Sequence, residues 1–84
     1  MKKYKVLEQY LHDERVFLIQ EEETGEKHLV DLFTDGAFEG WTNEDKSEQT
    51  WRKWLHDKFV GKTLEIEYLT PWISFSGGKQ RIIE

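Results

Sequence analysis

The sequence of 84 residues contains no cysteine, a single proline and no long apolar run. The absence of cysteine excludes disulfides, zinc fingers, iron–sulfur sites and thiol nucleophiles, and it is typical of proteins from a reducing compartment. No segment reaches the roughly 18 consecutive apolar residues of a membrane-spanning helix, and the N-terminal residues lack the apolar run of a signal peptide. The sequence therefore predicts a soluble, cytoplasmic protein without a membrane partner.

Positive charge is also scarce. Twelve Lys and Arg residues stand against seventeen Asp and Glu residues, which gives a net charge of −5. A domain that neutralises many phosphates usually has the opposite balance, so the composition disfavours nucleic acid as a partner. A local basic patch would form if the terminal strands were neighbours, although charges on edge strands also prevent sheets from pairing with one another. The residues concerned are Lys2, Lys3, Lys5, Lys79 and Arg81.

Aromatic residues are plentiful, with five Phe, four Trp and three Tyr. A chain of this length buries only about 60% of its unfolded surface, so it forms one domain over residues 1–84. Each aromatic side chain buries about 150–250 Å², which allows a short and otherwise polar chain to build a core from few positions.

One segment, Ser47 to Gly61, has helical periodicity. Its large apolar residues recur at i, i+3, i+4 and i+8 and form one stripe: Trp51, Trp54, Leu55 and Phe59. Asn43, Asp45 and Ser47 can each cap the first turn, and Ser47 is favoured because Glu48 follows it. Gly61 is placed to end the helix in the left-handed conformation. The apolar stripe predicts that this helix packs on a small β structure.

The remaining segments indicate strands. We expect strands at Tyr4–Leu11, Arg15–Glu21, Lys27–Phe33 and Thr63–Leu69, where apolar and β-branched residues are bounded by turn residues. A polar loop runs from Phe33 to Thr50. After Thr70 and Pro71 a strand resumes at Trp72–Phe75, Ser76–Lys79 forms a turn, and Gln80–Ile83 is the last strand.

Three strands, a helix and further strands follow the element order of the OB-fold, a Greek-key barrel of five strands. The run VGKTLEIEYLTPWISFSGGKQRII, residues 60–83, resembles the C-terminal half of small bacterial OB-like single-domain proteins of uncharacterised function. The resemblance covers about a third of the chain and includes no catalytic motif. It implies an OB-like barrel of five or six strands with the helix between strands three and four. The long loop before the helix and an extra C-terminal hairpin leave an SH3-like or irregular barrel open.

Three large aromatic residues lie outside any clear core periodicity: Phe38, Trp41 and Trp72. Tryptophans in a loop and beside a proline are typical anchors for a partner protein. The alternative is structural, since a loop this long needs residues that hold it on the barrel. The first interpretation predicts a non-enzymatic binding or adaptor module whose partner is another protein.

Single-stranded nucleic acid is the second candidate partner, because OB-folds commonly bind it on the face of strands two and three. The residues for such a face are Arg15, Phe17, Lys27 and Trp72. An exposed aromatic residue there would stack on a base with about 1–3 kcal/mol. The alternative is that Phe17 and Ile19, or else Val16 and Leu18, fill the barrel, and the sequence does not decide which pair faces outward.

An enzyme is the third candidate, and no motif supports it. His12, His28 and His56 lack a paired ligand spacing, so the sequence predicts no metal site and no cofactor. The acidic residues Glu21–Glu23 and Glu44–Asp45 are interpreted as a solvated hairpin tip and a helix approach. Gly77–Lys79 is not a phosphate-binding loop, because no helix follows it.

Overall fold

The computed structural model describes residues 2–32, 48–69 and 76–83. These residues form five strands and one helix, in the order β1 (Lys2–Gln9), β2 (Val16–Glu21), β3 (Lys27–Asp31), α1 (Glu48–Phe59), β4 (Thr63–Leu69) and β5 (Ser76–Ile82). The prediction of a mainly β fold with one helix after the third strand is confirmed. The predicted partner-binding residues Phe38, Trp41 and Trp72, and the predicted cap Ser47, lie outside the described residues.

The five strands form one antiparallel sheet in the order β3-β2-β1-β4-β5. β1 belongs to two ladders, because residues 2–5 pair with β4 and residues 4–9 pair with β2. The register with β2 shifts between Val6 and Glu8, which leaves Leu7 as the extra residue of a β-bulge. A bulge bends its strand and increases the local twist. β1 therefore curls the sheet into a half-barrel.

The concave face of the half-barrel carries the core, built from alternate residues of the strands. Buried there are Tyr4, Val6, Phe17, Ile19, Val30, Leu32, Leu64 and Ile66. The helix α1 adds Leu55 and Phe59, and the ring of Phe59 meets that of Phe17 edge-on at 5.3 Å between centroids. Trp51 and Trp54 are half-buried against this core and stack on each other at 5.5 Å. The predicted apolar stripe of α1 is confirmed as the surface that packs on the sheet.

The end of α1 is tied to the sheet through its backbone. Gly61 has φ +84°, as predicted for a left-handed terminating residue. Its N–H donates to the carbonyl of Val6 at 3.0 Å, and the N–H of Val6 donates to the carbonyl of Lys62 at 2.9 Å. The chain therefore passes from the helix directly into the β1–β4 ladder.

The turn predicted at Ser76–Lys79 is wrong. These residues lie within β5, where Ser76 pairs with Leu69 and Gly77 pairs with Tyr68. Glycine inside a strand often marks an irregular ladder, and here the register with β4 shifts between Ile66 and Tyr68. The last strand thus begins at Ser76 and not at Gln80.

Candidate functional site

The alternating burial along β2 shows which of its faces is outward. Phe17 and Ile19 point to the concave face and are fully buried, while Val16 and Leu18 lie on the outer face. This is one of the two arrangements that the sequence left open. Phe17, predicted as a stacking platform, fills the core in this structure and offers no ring surface to a base.

Arg15 and Lys27, the two cations predicted for the nucleic-acid face, are not brought together. Arg15 lies beside Asp31, with Nη2 at 3.5 Å from Oδ2, and its Nε is 3.9 Å from Oδ1 of Asp13. Lys27 pairs with Gln20 in the ladder at the other end of β3 and is exposed. The positive charge of Arg15 is therefore balanced by the carboxylates of Asp13 and Asp31, which disfavours its contact with a phosphate.

The outer face of β2 and β3 is partly apolar. Leu18 and Leu29 are directly opposite each other across the ladder. Leu18 is half-buried and Leu29 is 44% exposed. Pairs of this kind stabilise a sheet through the contact between their side chains.

A second apolar surface lies at the loop between β1 and β2. We name Tyr10, Leu11 and His12 the β1–β2 loop surface. Leu11 is 76% exposed, the highest value among the large apolar residues of the described chain. The rings of Tyr10 and His12 meet edge-on with centroids 5.5 Å apart. This surface combines an exposed aliphatic side chain with two rings.

Arg52 of α1 holds the backbone of this loop. Its Nη1 donates to the carbonyl of Tyr10 at 3.0 Å and its Nη2 to the carbonyl of Leu11 at 3.1 Å. Gln9 adds a second link, because its Nε2 donates to the carbonyls of Glu14 and Arg52. Arg52 does not belong to the apolar stripe of α1, and its side chain reaches from the helix back to the loop. The backbone is fixed while the side chain of Leu11 stays in solvent.

The opposite end of β2 carries a polar cluster, which we name the β2–β3 turn cluster: Lys2, Glu21, Thr24, Glu26 and His28. Glu21 follows Phe17 and Ile19 on the concave face and is only 4% exposed. Its Oε2 accepts a hydrogen bond from Oγ1 of Thr24 at 2.9 Å. Its Oε1 lies 3.3 Å from Nζ of Lys2 but accepts no hydrogen bond. Glu21 is thus a buried carboxylate with one oxygen left to electrostatic contact alone.

The protonation states in this cluster follow from these contacts. The hydrogen bond from Thr24, and then the ammonium of Lys2, lower the pKa of Glu21, although burial acts in the opposite direction. The carboxylate of Glu21 in turn raises the pKa of Lys2. Burial, and then the charge of Glu21, raise the pKa of Tyr4. At neutral pH the cluster therefore contains an ionised Glu21 and a charged Lys2.

His28 and Glu26 complete the cluster on the β3 side. Nε2 of His28 lies 3.9 Å from Oε2 of Glu26, and the His28 ring contacts the ring of Tyr4 edge-on at 6.3 Å. Glu21, Glu26 and His28 each place one donor atom within 4.8 Å of the others. A cleft of about 430 Å³ adjoins Glu21 and is lined by Lys2, Lys3, Glu21, Glu22 and Glu23.

The sequence interpretation missed this cluster. Glu21 is interpreted from the sequence as part of a solvated hairpin tip, and His28 has no paired ligand spacing. A signal was present, since Glu21 continues the alternation of Phe17 and Ile19 and so shares their face. The contact with Lys2 depends on the pairing of β1 with β2, which the sequence does not specify.

Among the described residues, no helix is long and apolar enough to cross a bilayer. Comparison with protein-family models, with curated proteins and with solved structures finds no match for this chain.

Proposed function

We propose that this chain is a non-enzymatic binding module, located in the cytoplasm, whose partner is another protein. The β1–β2 loop surface is the described part of the contact. The observation that carries this proposal is the side chain of Leu11, 76% exposed on a backbone that Arg52 holds in place. Burying a leucine contributes about 1.5–3 kcal/mol to association. A loop that is already ordered loses little entropy when the partner binds.

We also propose that the fold is an OB-like Greek-key barrel, related to small bacterial OB-like proteins. The order β3-β2-β1-β4 corresponds to the spatial order 4-1-2-3 of a Greek key, and α1 lies between β3 and β4 in the chain. In OB-folds the loops after strands one and four border the binding face. In this chain they are the β1–β2 loop surface and residues 70–75, which include Trp72. Trp72 remains a predicted anchor, together with Phe38 and Trp41.

Single-stranded nucleic acid is the less favoured partner. Phe17 is buried, Arg15 faces two carboxylates, and the chain has a net charge of −5. We expect no binding of a mixed single-stranded oligonucleotide at about 50 mM salt, where electrostatic attraction is still strong. Oligonucleotide binding that weakens as salt increases would favour the nucleic-acid alternative instead.

The protein-binding proposal is tested by a matched pair of substitutions, Leu11→Asp and Leu29→Asp. Both replace an exposed leucine with a carboxylate, but only Leu11 belongs to the β1–β2 loop surface. A photo-crosslinking residue at position 11, with position 29 as control, identifies the partner in cells, and the purified pair then gives a dissociation constant. We expect Leu11→Asp to weaken binding by about tenfold or more, since each 1.4 kcal/mol is tenfold. Leu29→Asp should leave the constant unchanged.

The proposal fails if Leu11→Asp keeps the wild-type fold, measured by circular dichroism, and binds the partner as tightly as wild type. The predicted anchors are tested in the same assay with Trp41→Ala and Trp72→Ala. Each should weaken binding in a folded protein. A variant that unfolds assigns its tryptophan to the core, which is the structural alternative.

A further inference from the structure

We propose that Glu21, Glu26 and His28 form a binding site for a divalent first-row transition-metal ion, with Zn²⁺ as the representative ion. The site lies in the β2–β3 turn cluster, at the other end of β2 from the β1–β2 loop surface. It is therefore independent of the proposed partner contact. It differs from the prediction of no metal site, which was drawn from the missing paired ligand spacing of the histidines.

The donor atoms are close enough to share one ion. One donor atom from each residue lies within 4.8 Å of the other two. Zinc binds carboxylate oxygen and imidazole nitrogen at about 2.0–2.2 Å, so two ligand atoms of a tetrahedral ion are about 3.4 Å apart. The donor atoms must therefore move closer together when the ion binds, and the side chain of Glu26, which is 66% exposed, can move inward without disturbing the core.

Glu21 supplies an independent reason for a cation at this position. Its side chain is 5% exposed, and Oε1 accepts no hydrogen bond. Buried carboxylates are stable in proteins when they are paired with a cation or coordinate a metal. Without a metal ion, the ammonium of Lys2 balances the charge of Glu21, with Nζ at 3.3 Å from Oε1. The Lys2 side chain is nevertheless 62% exposed. Lys2 can therefore turn into solvent when a metal ion takes its place beside Glu21.

The donor set indicates the class of metal. One imidazole and two carboxylates suit Zn²⁺ and neighbouring transition metals, whereas Mg²⁺ and Ca²⁺ prefer oxygen ligands only. Three protein ligands leave the fourth position of a tetrahedral ion to water or to a small ligand.

The ligand pattern is not a familiar sequence motif, which explains why spacing alone did not reveal it. Glu21 is the last residue of β2, and His28 is the second residue of β3. The hairpin turn between them is closed by backbone hydrogen bonds from Gly25 to Glu21 and from Glu21 to Glu26. The three ligands thus meet through the strand register and not through a helical repeat.

Isothermal titration of the full chain with Zn²⁺ in metal-free buffer tests this site. We expect saturable binding of one ion per chain. Glu26→Gln and His28→Gln should each weaken the dissociation constant by at least about tenfold, since even outer-shell substitutions at metal sites cost 10–100-fold. Lys2→Gln should tighten binding, because it removes the cation that competes for Glu21. His12→Gln and His56→Gln are the matched controls and should leave the constant unchanged.

Several results would overturn the proposal. One is the absence of saturable binding; another is equal binding by wild type, Glu26→Gln and His28→Gln. Weakening by His12→Gln or His56→Gln in place of His28→Gln would identify an adventitious surface site. Glu26→Gln keeps the test decisive if His28→Gln perturbs the packing against Tyr4, because the Glu26 side chain is largely solvated. Line broadening by Co²⁺ that is centred on the His28 ring in NMR spectra is the second readout.

Discussion

At the scale of single residues, two side chains depart from the usual separation of apolar core and polar surface. Glu21 is a carboxylate on the concave face, and Leu11 is a leucine in solvent. Neither is explained by packing, since Glu21 is a charged group beside the ammonium of Lys2 and Leu11 contributes nothing to the core. Residues of this kind are more informative about function than those that fill the core.

The core itself makes a prediction for Leu55, which is 2% exposed between α1 and the sheet. Leu55→Ala should lower the free energy of unfolding by about 2–5 kcal/mol, because it removes buried methyl groups and leaves a cavity. Leu11→Ala, the same change in solvent, should alter it by about 0.5 kcal/mol or less. Urea denaturation measures both. Similar losses for the two variants would contradict the assignment of the core.

A pH-dependent prediction concerns Asp57 on the exposed side of α1. The hydrogen bond from Nζ of Lys53 at 2.6 Å, and then the contact with His56, lower the pKa of Asp57. A lowered folded pKa stabilises the protein above the ordinary pKa of aspartate, and this stabilisation is lost as pH falls through the folded value. Lys53→Gln should raise the pKa of Asp57 towards its ordinary value, as measured by NMR titration of the carboxyl group. Lys27→Gln, which changes a distant exposed lysine, should leave the pKa of Asp57 unchanged. Equal pKa values of Asp57 in wild type and both variants would refute the Lys53 contact.

At the scale of secondary-structure elements, the bounds of a strand were predicted best where one face of the strand is buried and the other faces solvent. β4 has the predicted bounds, Thr63–Leu69, because Leu64 and Ile66 alternate with charged residues. The predicted first strand reached Leu11, because the apolar pattern continues into Tyr10 and Leu11. In the structure β1 ends at Gln9, and both of these side chains are exposed. Apolar periodicity alone therefore does not show where a strand ends when the loop that follows it also contains apolar residues.

Gly61 gives a prediction for the end of α1. It has φ +84°, and an added Cβ would meet no atom within 4 Å. Gly61→Ala should therefore destabilise the protein by about 1 kcal/mol through backbone conformation alone. Gly61→Asn should cost less, since asparagine adopts the left-handed region more readily. Urea denaturation compares the three proteins, and an Ala variant as stable as wild type would show that Gly61 is not left-handed.

Arg52 gives a prediction for the link between α1 and the β1–β2 loop. Arg52→Gln removes the guanidinium that contacts the carbonyls of Tyr10 and Leu11. NMR order parameters of the backbone at Leu11 and His12 should fall from rigid values near 0.85 towards about 0.6. Lys53→Gln, the neighbouring exposed position, should leave them unchanged. Unaltered order parameters in Arg52→Gln would mean that other contacts hold the loop.

At the scale of the whole molecule, one curled sheet places its two candidate surfaces at opposite ends of β2. The sequence predicted the mainly β fold and the packing of α1, because both follow from local periodicity. It did not predict the β2–β3 turn cluster, which depends on the β1–β2 register: Tyr4 pairs with Glu21, and Nζ of Lys2 lies 3.3 Å from Oε1 of Glu21. It also did not identify Leu11 as a surface residue, because the loop that carries Leu11 is held by hydrogen bonds from Arg52, which is 41 residues away in the chain. Long-range pairing decides both features.

The central claim is that Leu11 is held in solvent on a fixed loop while the concave face of the sheet is closed by α1. Methyl relaxation by a soluble gadolinium complex measures this directly, residue by residue. We predict strong enhancement at Leu11, intermediate enhancement at Leu29 and near-complete protection at Leu55, Leu64 and Ile66. Protection of Leu11 to the level of Leu55 would contradict the proposed contact surface, and strong enhancement at Leu55 would contradict the packing of α1 on the sheet.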